Sequence, residues 1–138
     1  FNAKIRKQYS YELEKDEKFA TEARMHHKMD LKYKLKCFNE PIMICEYQEE
    51  GYTKNVVDLF KKYPYGHYEY FKEMFDMDLN GIHFNKRIYL IKHYILFSTL
   101  TKRKFKDSFK NVKGTYNKIL FTVLYIPGII LTKRKFKI

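Results

Sequence analysis

The chain has 138 residues, 45% of them hydrophobic and 18% aromatic, with 13 Tyr, 12 Phe and no Trp. That length suits one domain, and that composition excludes a disordered class and a disulfide-stapled one, since only Cys37 and Cys45 are present. The net charge of +12 is unevenly placed: residues 1–80 hold 14 Lys/Arg and 15 Asp/Glu, whereas residues 81–138 hold 14 Lys/Arg and one acid, Asp107.

In chain order, residues 1–15 read as a weakly patterned helix with no secretory leader. The pattern breaks over Asp16–Thr21, and Thr21 is a plausible N-cap for a helix running to about Asp30. Tyr33 to Phe38 alternates apolar and polar residues, Asn39-Glu40-Pro41 reads as a turn, and Ile42 to Tyr47 is a continuous apolar run. Together they predict a β-hairpin at about 33–48. On that hairpin Cys37 and Cys45 would not face each other, and buried free thiols are expected. Glu50-Gly51 ends the second strand, and Thr53 can cap a helix over 54–62 that Tyr63-Pro64-Tyr65-Gly66 breaks. A helix from His67 to about Met77 and a turn at Asn80-Gly81 follow. Residues 86–100 form the most apolar helix, with Ile88, Ile91 and Ile95 on one stripe widened by Tyr89, Leu96 and Leu100. Tyr116 to Ile126 predicts a last helix that stops before Pro127-Gly128. Residues 119–132 carry no charge, but this run is short of the ~20 residues that span a bilayer. Leu-Thr-Lys-Arg-Lys-Phe-Lys occurs twice, at 100–106 and 131–137, each time after an apolar segment.

The expected fold class is therefore α+β: a β-hairpin flanked by helices, then a basic helical region. The charge step divides it into 1–80 and a basic tail, 81–138. Basic residues interleaved with Tyr and Phe suit single-stranded nucleic acid or an anionic membrane surface. Ile119–Leu131 is too apolar for an exposed RNA-binding helix, so the membrane surface is the expected partner of 81–138 and nucleic acid is not. A packed tail with a solvated basic face fits the same pattern.

Acids are the other chemical signal. Glu22 starts a helical stripe continued by Met25 and Met29, and His26 at i+4 is within hydrogen-bonding reach of it. A carboxylate so placed can act as a general base, and it can equally be an ordinary helix-start acid that complements the dipole. Asp16 and Glu17 precede the helix and suit capping or solvation. Glu49 and Glu50 could hold a substrate hydroxyl or simply solvate a turn. No Cys/His cluster has zinc spacing, and there is no Gly-rich phosphate loop. No metal ligand is expected within the chain.

Taken in order, Glu17-Lys18-Phe19-Ala20-Thr21-Glu22, Tyr33-Lys34-Leu35 and Ile44-Cys45-Glu46-Tyr47-Gln48-Glu49-Glu50-Gly51-Tyr52-Thr53-Lys54-Asn55 resemble the C-terminal half of family 2 glycosyltransferases. The similar members are bacterial enzymes that assemble capsular and other surface polysaccharides. Tyr63-Pro64-Tyr65-Gly66 and Pro127-Gly128 before a basic end are similar as well, so the resemblance covers about residues 10–135. It implies a fragment of an α/β GT-A fold and an inverting transfer from a nucleotide-sugar donor to a polysaccharide or lipid-linked acceptor. The nucleotide-sugar half, with a divalent metal (Mg or Mn) on the diphosphate, would lie outside this chain, which would be inactive alone. Glu22 would be the catalytic base and Glu17 the second candidate, with His26, Glu49 and Glu50 on the substrate side. Lys28 stands where many members carry arginine. The expected location is the cytoplasmic, inner face of the cell membrane. The alternative is a small basic membrane- or nucleic-acid-binding module without catalysis.

Overall fold

The computed structural model of the protein describes residues 3–10, 13, 16–34, 36, 39–41, 43–46, 55–77 and 79–138. Among them are seven α-helices: α1 (Ala3–Lys7), α2 (Ala23–Asp30), α3 (Val56–Lys62), α4 (Tyr65–Glu73), α5 (Phe84–Leu100), α6 (Phe105–Asn111) and α7 (Thr115–Phe136). A 3-10 turn, Met74–Asp76, extends α4.

No strand occurs among the described residues, which corrects the α+β expectation and its GT-A fragment to an all-helical fold. The described positions of the 33–48 hairpin are non-regular, and Met43 and Ile44 are 76% and 95% exposed. The physical reason is lack of cover. Two strands alone are marginal in water, and an apolar run needs a third strand or a helix to bury it. Neither is supplied to Met43 and Ile44. Cys45 is likewise an exposed free thiol, not a buried one.

α5 is the centre of the molecule. Ile91, Tyr94, Ile95 and Phe97 are fully or almost fully buried, because α4 packs on one side and α7 on the other. The buried set differs from the predicted widened stripe: Leu90, Tyr94 and Phe97 join Ile91 and Ile95, Ile88, Leu96 and Leu100 are half-buried, and Tyr89 faces outward, 58% exposed. α7 runs in the same direction as α5. Arg87, early in α5, donates to Asn117, early in α7, at 2.7 Å, and Ile95 farther on meets Gly128. A Cβ at Gly128 would lie 2.8 Å from Ile95 Cγ2, so the two helices approach tightly where one has no side chain. α6 makes the return between them. Tyr94 donates its buried hydroxyl to Ser108 O at 3.1 Å and accepts from Asn111 Nδ2 at 3.2 Å, tying α5 to α6. Burial raises the Tyr94 pKa well above the ordinary phenol value.

α7 does not stop at Pro127. It continues to Phe136, against an interior proline cost of ~3 kcal/mol. Buried Thr132 and Phe136 offset that cost, as does Gly128 against Ile95. Pro127 itself is exposed, so its ring occupies solvent rather than the helix interface. The two copies of the basic heptapeptide share one local bond: Thr101 and Thr132 each donate to the carbonyl four residues back, Phe97 O and Gly128 O, both at 2.8 Å. Beyond it they differ. The first copy leaves the helix through Lys102, at φ 56°, and the second stays helical to Phe136.

Candidate functional site

The segment from Glu17 to Glu22 crosses the start of α4. Gly66 permits this: a Cβ there would lie 2.6 Å from Ala20 Cβ, so backbone packs on backbone. Tyr65 donates its backbone N–H to Glu17 Oε2 at 3.2 Å, which puts a carboxylate on one of the amides a helix start leaves unpaired. Glu17 is only 8% exposed. Phe19 stacks on His67, ring centroids 5.2 Å apart, and His67 in turn stacks on Phe97 at 5.0 Å. Burial among these rings lowers the His67 pKa to about 4, so His67 is neutral at physiological pH.

At Thr21 the chain turns outward. Thr21 Oγ1 accepts from Ala23 N–H at 3.3 Å, while the N-cap position of α2 falls one residue later than expected, on Glu22. Met25 and Met29 are buried, as the helical stripe requires. Glu22, at the start of that stripe, is exposed and makes no capping hydrogen bond. Its side chain lines an open cleft of about 400 Å³ with Arg6, Lys7, Ser10, Leu13 and Met25. The structure thus separates the two candidate acids: Glu17 points into the protein and Glu22 to solvent beside two cations. His26 is half-buried on α2 and does not line this cleft. Glu49 and Glu50 lie outside the described residues.

The far side of α2 carries a feature that residue spacing alone did not single out. Arg24 donates to both carboxylate oxygens of Glu73 at 2.9 and 2.7 Å, and Lys28 pairs with the same group at 3.0 Å. Burial pushes the Glu73 pKa up, but the hydrogen bonds and charges of Arg24 and Lys28 outweigh it and hold the carboxyl below its usual value. Beside this cluster His27 stacks on Tyr70, centroids 5.4 Å apart, along an apolar cleft of about 210 Å³. Arg24 and Lys28 at i and i+4 announce a shared cationic edge in the sequence. Their partner on α4 was not readable. Lys28, where the resemblance expects an arginine, is thereby a clamp between α2 and α4.

Among the described residues no three His, Cys, Asp or Glu side chains converge on a point that could hold a metal ion. The chemistry available at Glu22 is proton transfer and hydrogen bonding. Comparison with known proteins adds no second line: no family, no curated protein and no solved structure matches this chain.

Proposed function

We propose that this chain is the acceptor-side, C-terminal part of an inverting sugar transferase whose nucleotide-sugar-binding half lies outside it. The observation that carries the proposal is Glu22: an exposed carboxylate at a helix start, not spent on capping, on the wall of an open cleft beside Arg6 and Lys7. Its support from the sequence is the ordered run of motifs from Glu17 to Gly66.

In the transfer, Glu22 takes the proton of an acceptor hydroxyl as that oxygen bonds to the anomeric carbon. The bond from that carbon to the donor phosphate breaks on the opposite side, and its electron pair leaves with the nucleoside diphosphate. A divalent metal, when bound in the nucleotide-sugar half, would stabilise that leaving charge. Arg6 and Lys7 add positive charge at the cleft mouth, suited to a phosphorylated, lipid-linked glycan acceptor. Glu17 has no part in the proton transfer: it holds the turn that presents Glu22.

The test is nucleoside diphosphate release from a panel of nucleotide sugars, with the chain joined to a nucleotide-sugar-binding half. Glu22→Gln is expected to lower turnover by about 10²–10⁴ with the fold intact by circular dichroism. Should Glu22→Gln retain turnover while a folded Glu17→Gln loses it, the base is misassigned. Silence of both would sink sugar transfer altogether.

A further inference from the structure

One side of α7 packs on α5, through buried Asn117, Phe121 and Thr132. The other side is bare and apolar. Ile119, Val123, Ile126 and Ile130 are 58%, 66%, 68% and 53% exposed, and their spacing of four, three and four residues sets them in one line along the helix. Tyr116, 52% exposed, begins the same line, and exposed Arg134 continues it one turn beyond Ile130. Nothing charged interrupts residues 119–132. Lys118 precedes that run, and Lys133, Arg134, Lys135 and Lys137 follow it.

From this geometry we infer that the outward face of α7 lies in the surface of an anionic membrane, with the helix axis in the membrane plane. α7 as a whole, 22 residues or about 33 Å, has the length to span, but its charge-free stretch does not. Fourteen uncharged residues make about 21 Å of helix at 1.5 Å per residue, against a hydrocarbon core of ~30 Å. The opposite face is also occupied by the folded core. Charge decides against a second copy of the chain. Two α7 faces packed antiparallel would bring Lys133–Lys135 of one against the Lys118 end of the other, and packed parallel would superpose the two basic clusters. Either way cation meets cation. Exposed isoleucines decide against nucleic acid, which offers them nothing to bury in. An anionic bilayer supplies both needs at once: acyl chains for the isoleucine line, and negative headgroups for the lysines and Arg134 at its end. Tyr116 suits the headgroup level at the other end. This inference is independent of sugar transfer, and its test measures no turnover.

The absence of Trp from the sequence makes the test clean. Vesicles of neutral phosphatidylcholine, and vesicles with about one quarter phosphatidylglycerol, are floated with the full chain at low and high salt. Binding is expected to the anionic vesicles, weakened by salt. A lone reporter, Ile126→Trp, should shift to the blue and be quenched by brominated acyl chains, while Tyr33→Trp should not. Ile126→Asp and, separately, Arg134→Glu with Lys133→Glu should each weaken binding by at least about tenfold with helicity retained. Equal binding to neutral and anionic vesicles would overturn the inference. So would undiminished binding by both sets of variants. Binding that resists alkaline extraction would mean insertion across the bilayer. A concentration-dependent dimer abolished by Ile126→Asp, without vesicle binding, would make a second copy the occupant. Uptake of single-stranded RNA that shields Ile126→Trp would assign the face to nucleic acid.

Discussion

The helices from α3 onward and the acidic segment before them are held in different ways. Among the described residues, twelve of the fourteen buried hydrophobic side chains lie between Tyr68 and Phe136, and the earlier segment adds only Met25 and Met29. What fixes the earlier segment is directional: Arg24 and Lys28 on Glu73, Glu17 on the Tyr65 amide, and the Phe19 ring on His67. A packed core resists change at almost any buried position. A segment held by a few polar pins keeps its place while the residues between the pins face outward, which is the situation of Glu22. The charge step near residue 80 is not the boundary between the two. Tyr68 and Phe75, before it, pack on Tyr94, after it.

The contrast can be broken experimentally, most strongly at the core. Phe97→Ala should cost about 4 kcal/mol in denaturant unfolding, and Met25→Ala clearly less. Equal losses would mean that the acidic segment belongs to the same cooperative core. Acidification comes next. His67 has its pKa lowered in the folded state to about 4 from 6.5, so the unfolded chain binds the extra proton first. The stability associated with neutral His67 is complete above pH 6.5 and is lost as pH falls toward 4, by roughly 2–3 kcal/mol. Glu73, whose pKa is lowered, adds a loss of the same sign at lower pH still. His67→Leu should flatten the profile between pH 6.5 and 4, and an unchanged slope would show that the ring box does not carry it. Third, Glu17→Gln should cost about 1–2 kcal/mol through the weakened bond to the start of α4. Glu22→Gln should change stability by no more than about 0.5 kcal/mol. Equal costs would erase the division of labour between these acids. Smallest is Lys28→Ala, a half-exposed partner of Glu73, at about 0.5 kcal/mol.

Much of the helical core was legible because its signals are local. The apolar periodicity of 86–100, the Tyr63-Pro64 break and the Asn80-Gly81 turn, with Gly81 at φ 78°, each follow from neighbouring residues. The hairpin failed because strand propensity is only a promise of partners, and nothing covers Ile44. The end of α7 failed for the opposite reason. Pro127 is a local stop, overridden by a tertiary contact at Gly128 that no window of sequence contains. At the candidate site, Glu22 on the Met25–Met29 stripe could be found by spacing. The inward turn of Glu17 depends on Gly66 and Tyr65, nearly fifty residues away, and the Glu73 clamp is equally remote.

The rings through the core form a continuous pile: Phe19, His67, Phe97, Phe71, His93 and Tyr89, each within 6 Å of the next. Phe97 is 1% exposed and sits between His67 and Phe71. A half-turn of its ring needs both neighbours to move apart in an interior of low compressibility. Tyr89, on the surface, is thereby joined to Phe19 by an unbroken run of ring contacts, and Phe97→Ala would remove the link between His67 and Phe71.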